Sequence, residues 1–169
     1  MDIIVNNSQT SDYLKNFDID GLTTHTHTDE IKYLSITDSK LTLLNNDNNL
    51  TIDFNDKDIQ SRVDPKSKKC SVVQAVEGRS KNKLKILDTT AGLGRDTFTL
   101  ASRGHLVTAI EKDHYIYLLL LDALERAKKD CNLKQIADNI TLINANSAAY
   151  ILTTNKQFDA VYIDPMFPE

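Results

Sequence analysis

Residues 84–111, "LKILDTTAGLGRDTFTLASRGHLVTAIE", decide the fold of this chain. The apolar run "LKILD" predicts a strand, "RDTFTLAS" a short helix that ends at Gly104, and "HLVTAIE" a second strand that ends at Glu111. A strand, a glycine-containing loop, a helix and another strand make a βαβ unit, in which the two strands are parallel. Because ligands bind outside the carboxyl ends of such strands, the residues that follow each strand are the candidates for chemistry.

The same alternation continues along the rest of the chain. "HYIYLLLLDALERAKK" (114–129) predicts a long helix capped by Asp113, and "NITLIN" (139–144) predicts a third strand. "SAAYILTT" (147–154) predicts a third helix, and "FDAVYID" (158–164) predicts a fourth strand. We therefore expect an α/β, Rossmann-like domain: a parallel sheet in the strand order 3-2-1-4, with helices on both faces and the fourth strand at an open edge.

A smaller unit rich in β-strands precedes this domain. Residues 31–54 contain three short segments, "IKYLSIT", "KLTLL" and "LTIDF", separated by turn-forming residues, and this pattern predicts an antiparallel meander. The segment "SVVQAVEG" (71–78) has a helical pattern and leads into the main domain. We expect a small N-terminal β-rich unit at residues 1–60 and the Rossmann-like domain at residues 61–169.

Metal sites, disulfides and membrane spans are not predicted. His25 and His27 lie two apart in "THTHT", but no third ligand is suitably spaced, so a polar strand or loop is favoured. Cys70 and Cys131 are far apart and form no Cys-x-x-Cys pair, which is typical of a reduced intracellular protein. No apolar run reaches the roughly 20 residues that span a bilayer, and the first residues lack a signal-peptide pattern. We therefore predict a cytoplasmic protein.

The charge of the chain is unevenly distributed. Lys+Arg 20 against Asp+Glu 24 gives a net charge of −4, so the molecule as a whole does not attract nucleic acid. Residues 62–85, however, contain eight basic residues and two acidic ones. This basic segment is either a solvated helix face or a patch that contacts phosphates, and the sequence leaves both interpretations open.

The residues after the first three strands suit a nucleoside cofactor. Gly92 and Gly94 allow a tight turn and a close approach of the backbone to a ligand. Glu111, 19 residues after Gly92, ends the second strand, where a carboxylate can accept hydrogen bonds from both hydroxyls of a ribose. Asn146 and Ser147 follow the third strand and could either contact an adenine edge or cap the next helix.

Three features favour an S-adenosylmethionine-dependent methyltransferase over a nicotinamide-dependent oxidoreductase. Thr97 occupies the position where the dinucleotide fingerprint requires a third glycine or an alanine. Asp88 and Asp96, on either side of the loop, suit a cationic sulfonium rather than a pyrophosphate. The third feature is "DPMFP" (164–168) at the end of the fourth strand.

The "DPMFP" turn has the groups that an exocyclic amine on a nucleobase requires. The Asp164 side chain and the Pro165 carbonyl can accept the two N–H bonds, which holds the nitrogen and makes it more electron-rich. The prolines stiffen the turn, and Phe167 can stack on the base. We therefore predict that Asp164, Pro165 and Phe167 form the catalytic turn.

The strings "DTTAGLGRDTFTLASRGHLVTAIEKD" and "FDAVYIDPMFP" resemble those of the bacterial ribosomal RNA small subunit methyltransferase J family. The resemblance covers about Val72 to Pro168. It implies the class I S-adenosylmethionine-dependent methyltransferase fold, S-adenosylmethionine as the cofactor, and methylation of N2 of a guanine in 16S rRNA. The implied partner is 16S rRNA or the small ribosomal subunit. Since the family continues beyond "DPMFP", we expect this chain to be a C-terminally truncated form of a longer enzyme.

The resemblance also implies cofactor-binding residues. Arg95 and Asp96 follow the glycines, and Glu111 and Lys112 form the acidic and basic pair that ends the second strand. Asn146 and Ser147 follow the third strand, and Asp164 is the carboxylate of the turn. The family has two serines where this chain has Asn146 and Ser147, so only Ser147 keeps the residue type. Two alternatives stay open: methylation of another planar amine, such as adenine N6 or a protein glutamine, and a non-catalytic fragment that binds S-adenosylmethionine.

Overall fold

The structure is a computed structural model that describes residues 1–26, 32–46, 48–66, 70–78 and 82–165. The N-terminal part contains β1 (Asp2–Val5), α1 (Ser8–Lys15), β2 (Thr23–Thr26), β3 (Lys32–Thr37), β4 (Lys40–Asn45), β5 (Asn48–Thr51), α2 (Lys57–Val63) and α3 (Ser71–Glu77). The C-terminal part contains β6 (Lys85–Asp88), α4 (Arg95–Ser102), β7 (Leu106–Glu111), α5 (His114–Lys129), α6 (Lys134–Ala137), β8 (Ile140–Asn144), α7 (Ser147–Thr153) and β9 (Ala160–Tyr162).

The C-terminal sheet has the predicted topology. Its four strands are parallel and lie in the order β8-β7-β6-β9, which confirms the order 3-2-1-4. In the register, Asp88 of β6 is opposite Tyr162 of β9, and Glu111 of β7 is opposite Asn144 of β8. The carboxyl ends of all four strands therefore meet at one edge, and the segments that follow them face the same space.

Helices flank this sheet as expected. By the right-handed crossover rule, α4 and α5 lie on one face and α7 lies on the other. Asp113 caps α5, since its side chain accepts hydrogen bonds from the backbone N–H groups of Tyr115 and Ile116. The strand β9 ends at Tyr162 rather than at Asp164, because its ladder with β6 stops where β6 stops. Among the described residues β9 pairs with β6 alone, so β9 and β8 are the two edges of the described sheet.

The N-terminal sheet has the order β2-β1-β3-β4-β5. The strands β3, β4 and β5 form the predicted antiparallel meander. The sequence did not indicate the parallel unit β1-α1-β2, because β1 has four residues and α1 is polar except for Tyr13 and Leu14. His25 lies in β2, where its Nε2 atom is 3.5 Å from Asp2 Oδ1, and His27 lies outside the described residues.

The two sheets share buried side chains. Phe54, which follows β5, stacks on Phe98 of α4 with 3.9 Å between the ring centroids. Helix α5 packs against β4, and one core cluster includes Ile3 and Leu34 as well as the interior of the C-terminal sheet. The boundary near residue 60 stays a prediction. In the described ranges, no helix combines the length and the apolar character needed to cross a membrane.

Candidate active site at the strand ends

The glycine-containing loop between β6 and α4 is fixed by Glu111. One carboxylate oxygen of Glu111 accepts a hydrogen bond from the Gly92 backbone N–H at 2.9 Å, and the other accepts one from the Asp113 N–H at 2.7 Å. Since a carboxylate has about four acceptor positions, Glu111 keeps capacity for two further donors. The predicted role of Glu111 in binding ribose hydroxyls stays a prediction, and its position beside Gly92 supports it.

Gly92 and Gly94 both have positive φ angles, but they are required for different reasons. A Cβ atom at Gly92 (φ +51°) would meet nothing nearer than the Thr90 carbonyl oxygen at 3.8 Å. A Cβ atom at Gly94 (φ +75°) would lie 2.5 Å from Leu120 Cδ1 and 3.3 Å from Phe54 Cζ. Gly92 therefore borders open space, where a ligand can approach the backbone, whereas packing against the core requires glycine at position 94. The cofactor contact predicted for Gly94 stays a prediction.

The two glycines give a matched pair of stability predictions. We expect Gly94→Ala to lower the free energy of unfolding by about 2–4 kcal/mol, because left-handed backbone strain adds to overpacking against Leu120 and Phe54. We expect Gly92→Ala to lower it by about 1 kcal/mol, from backbone strain alone. Equilibrium unfolding in urea measures both values. Equal losses in the two variants would contradict the packing role of Gly94.

The buried side chain of Asp88 holds the glycine-containing loop in place. Its side chain is 1% exposed and accepts hydrogen bonds from the Thr97 hydroxyl and from the Thr90 backbone N–H. Burial raises the pKa of this carboxyl, those two hydrogen bonds act in the opposite direction, and the nearby charges of Asp96 and Glu111 raise it further. The threonine at the third-glycine position therefore has a structural reason: its hydroxyl binds the buried carboxylate.

The end of β9 is attached to the same loop. The Thr89 N–H and hydroxyl groups both donate to the Tyr162 carbonyl oxygen at 3.0 Å, and the Asp164 N–H donates to the Thr90 hydroxyl at 2.8 Å. These bonds hold Asp164 beside the glycine-containing loop and leave its side chain exposed. Pro165 is exposed as well, and Phe167 lies outside the described residues. The catalytic roles of these three residues stay predictions.

A chain of polar contacts crosses the site from α2 to β9. The Tyr162 hydroxyl donates to Asp96 Oδ2 at 2.6 Å and is 3.4 Å from Asp164 Oδ2. Asp96 Oδ1 accepts a hydrogen bond from Arg62 Nη1 at 3.0 Å. Burial, the hydrogen bond to Asp96 and the charge of Asp96 raise the pKa of Tyr162, so its hydroxyl stays a proton donor. Tyr162 was not predicted as a site residue, although it lies two residues before Asp164 and the alternation of the predicted strand places both on one face.

The pair after β8 contacts neighbouring backbone. The Asn146 side chain caps α7 by accepting a hydrogen bond from the Ala149 N–H at 3.1 Å. The Ser147 hydroxyl donates to the Thr89 carbonyl oxygen at 2.5 Å. The structure thus shows the helix cap that was one of two interpretations of Asn146. A contact of either side chain with adenine stays a prediction.

Arg95 and Lys112 lie further into solvent than the other candidates. The Arg95 side chain is 58% exposed, and its Nη1 atom is 3.8 Å from Asp58 Oδ2. Lys112 is exposed directly after β7. Their predicted contacts with the cofactor stay predictions.

A cleft of about 440 Å³ opens beside Asp164, between the helices α2 and α3 and the end of β9. We call it the α3 cleft; its lining residues are Arg62, Cys70, Ser71, Val72, Ala75, Asp96, Tyr162, Ile163 and Asp164. A second cavity of about 330 Å³ lies near the amino ends of the strands, where Lys85 and Leu106 begin β6 and β7. Since ligands of parallel sheets bind at the carboxyl ends, the α3 cleft is the one that belongs to the candidate site.

The described residues of the basic segment do not lie on one surface. Arg62 lines the α3 cleft, whereas Lys85 is at the amino end of β6, away from the candidate site. Lys66 is exposed after α2, and Lys68, Lys69, Arg79 and Lys81 lie outside the described residues. In the part of the chain that the structure describes, no group of three or more His, Cys, Asp or Glu side chains could hold a metal ion.

Comparison with known proteins identifies similar sequences and structures. Residues 19–169 match the family model of SAM-dependent methyltransferases. The chain is 56% identical over 168 residues to ribosomal RNA small subunit methyltransferase J of Francisella tularensis subsp. novicida, which covers 99% of this chain and 69% of that protein. It is 59% identical over 138 residues to the protein of the same name from Francisella philomiragia, with coverage of 82% and 58%.

A solved structure has the same fold. The crystal structure of a SAM-dependent methyltransferase from Neisseria gonorrhoeae is similar with a TM-score of 0.75 and 25% sequence identity, over 99% of this chain and 70% of that one. The predicted Rossmann-like methyltransferase fold is thereby confirmed.

Proposed function

Because the chain belongs to the ribosomal RNA small subunit methyltransferase J family, we propose that it transfers the methyl group of S-adenosylmethionine to the exocyclic N2 of a guanine in 16S rRNA. One observation carries the proposal: the glycine-containing loop is bonded both to Glu111 at the end of β7 and to Asp164 at the end of β9. A nucleoside cofactor and an amine-holding turn would therefore meet at one edge of the sheet. Action on ribosomal RNA would place the protein in the cytoplasm, on 16S rRNA or the small subunit.

The residues at this edge fit S-adenosylmethionine. Glu111 keeps free acceptor positions beside Gly92, which borders open space, and both suit the ribose. Asp96 and Asp164 add negative charge near the same loop, and this suits a cationic ligand. When bound, the cofactor supplies an electrophilic methyl group on a positively charged sulfur.

The chain's own groups would prepare the amine for methylation. The Asp164 carboxylate and the Pro165 carbonyl accept its N–H bonds, which orients the nitrogen lone pair and increases its electron density. The bond from the Asp164 N–H to the Thr90 hydroxyl fixes the turn relative to the cofactor loop. The C–N bond would form as the bond between the methyl carbon and the sulfur breaks, with its electron pair left on a neutral thioether. The nitrogen would then lose one proton, and the Asp164 carboxylate is the base that the turn supplies.

A methyl-transfer assay tests the proposal. The protein is incubated with radiolabelled S-adenosylmethionine and, separately, with 30S subunits, naked 16S rRNA, DNA or a protein extract. We expect label in 16S rRNA, recovered as N2-methylguanosine after digestion to nucleosides. Label in N6-methyladenosine or in protein glutamine would replace guanine as the target. Binding of the cofactor without label in any substrate would show a non-catalytic module.

The basic segment gives a separate prediction about RNA binding. We expect charge reversal at Lys66, Lys68 and Lys69 to weaken RNA binding and to reduce the slope of log K against log salt by about 2–3, because each lost phosphate contact removes about one released counterion. Filter binding from low to high salt measures the slope. As a control, the same reversal at Lys128, Lys129 and Lys134, near the end of α5 and beyond, should leave the slope unchanged. If the first variant also keeps the wild-type slope, the segment is a solvated surface.

A further inference from the structure

The proposed reaction assigns no role to Arg62, an arginine that lines the α3 cleft. The guanidinium of Arg62 lines the cleft together with the carboxylates of Asp96 and Asp164. One positive and two negative charges thus lie at one end of the candidate site, next to the loop that Glu111 fixes. Such a group of charges is complementary to a ligand with two positive charges and one negative charge.

We propose that Arg62 binds the α-carboxylate of S-adenosylmethionine, beside Asp96 and Asp164, the carboxylates that the family resemblance already indicates as cofactor-binding residues and that suit its α-ammonium group. This inference rests on the proposed use of S-adenosylmethionine. The cofactor has one negative group, a carboxylate, and two positive groups, an ammonium and a sulfonium, so its charges are opposite in sign to those of Arg62, Asp96 and Asp164. Arginine suits the role because its planar guanidinium can donate two parallel hydrogen bonds to a carboxylate.

The contacts of Arg62 orient its guanidinium but do not use all of its N–H donors. Its Nη1 atom is held by Asp96 at 3.0 Å, and its Nε atom is 3.8 Å from Asp58 Oδ2. The guanidinium has five N–H donors, so donors remain for a ligand in the cleft. Its side chain is 33% exposed, which leaves it reachable and partly shielded from water. Charge-assisted bonds are stronger in such a setting than on the open surface.

Arg95, which the family resemblance indicates as a cofactor residue, is less suited to this role. Its side chain is 58% exposed, points its Nη1 atom toward Asp58, and is not among the lining residues of the α3 cleft. Helix α2 instead brings Arg62 to the cleft, with Ile59 of the same helix buried in the core. The arginine nearer to the glycines in sequence is therefore not the one that lines the cleft.

Calorimetric titration with two ligands tests the proposal without any RNA. S-adenosylhomocysteine has the amino-acid group, and 5′-methylthioadenosine lacks it. We expect Arg62→Met to weaken binding of S-adenosylhomocysteine about 10- to 100-fold, the range of a lost hydrogen bond between charged groups, and to change binding of methylthioadenosine less than 2-fold. Arg62→Lys should give a smaller loss, since it keeps the charge without the paired donors.

Two further variants make the test specific. Lys57→Met removes a positive charge from the exposed start of α2 and should bind both ligands like the unaltered protein. Arg95→Met is the competing variant, since the family resemblance indicates Arg95 as a cofactor residue; a loss of S-adenosylhomocysteine affinity in Arg95→Met together with normal binding by Arg62→Met would overturn the proposal in favour of Arg95. An equal loss of both ligands in Arg62→Met would overturn it as well. If the unaltered protein does not bind S-adenosylhomocysteine, the proposed cofactor is wrong. Normal binding by Arg62→Met would instead refute only the role of Arg62.

Discussion

Replacement of Asp164 by alanine is expected to lower kcat for methyl transfer about 100- to 1,000-fold, the usual loss when one preorganised electrostatic group is removed from an active site. The backbone N–H of Asp164 binds the Thr90 hydroxyl, so the position of the turn does not depend on the carboxylate. The variant should therefore keep its turn and lose the acceptor that holds the amine. Single-turnover kinetics with saturating cofactor and RNA measure the chemical step.

Three measurements separate this effect from a loss of structure. Asp164→Asn keeps one acceptor oxygen and should lose less activity than Asp164→Ala. Affinity for S-adenosylhomocysteine should fall less than about 10-fold, because Asp96 remains to receive the ammonium group. Asp138→Ala, which removes an exposed carboxylate near the amino ends of the strands, should be as active as the unaltered protein. An alanine variant at position 164 within 5-fold of normal kcat would remove Asp164 from the catalytic turn.

The sequence predicted the C-terminal sheet well because local and global signals agree there. Each strand is a short apolar run, each is followed by polar residues, and the intervening helices have amphipathic patterns with caps such as Asp113. The right-handed crossover rule then limits the possible strand orders to few. The positions of Glu111 and Asp164 at the strand ends follow from the same alternation.

Long-range packing explains what the sequence could not predict. Nothing in the loop indicates that Gly94 faces Phe54, which is 40 residues earlier in the chain. In the sequence, Arg62 is only one residue of a basic segment. The packing of α2 against α4 brings it to Asp96. In the sequence, Tyr162 is part of an apolar strand. Only the structure shows that its hydroxyl contacts the carboxylates of Asp96 and Asp164. In each case a single residue acquires its role from a distant partner.

Asp122 of α5 is expected to make a large contribution to stability, because its buried carboxylate joins three elements. Its carboxylate is 0% exposed and accepts hydrogen bonds from the Tyr13 hydroxyl at 2.6 Å, the Leu41 backbone N–H at 3.2 Å and Arg126 Nε at 2.9 Å. Arg126 in turn donates to the Ile52 carbonyl oxygen. Burial, followed by the hydrogen bond and the charge of Asp122, raises the pKa of Tyr13. The carboxylate therefore joins α1, β4 and α5.

We expect Asp122→Ala to lower the free energy of unfolding by about 3–5 kcal/mol, because it leaves the Leu41 N–H, the Tyr13 hydroxyl and Arg126 Nε without their acceptor, while Arg126 Nη1 keeps Asp53 at 3.6 Å. Urea unfolding followed by circular dichroism measures the loss. Glu125→Ala is the matched control on the same helix: its carboxylate is 37% exposed, pairs with Lys128, and should contribute less than about 1 kcal/mol. A double-mutant cycle with Tyr13→Phe should give a coupling energy of about 0.5–3 kcal/mol, since the two side chains share a hydrogen bond. A loss below 1 kcal/mol in Asp122→Ala would show that the N-terminal strands are held to α5 by apolar packing alone.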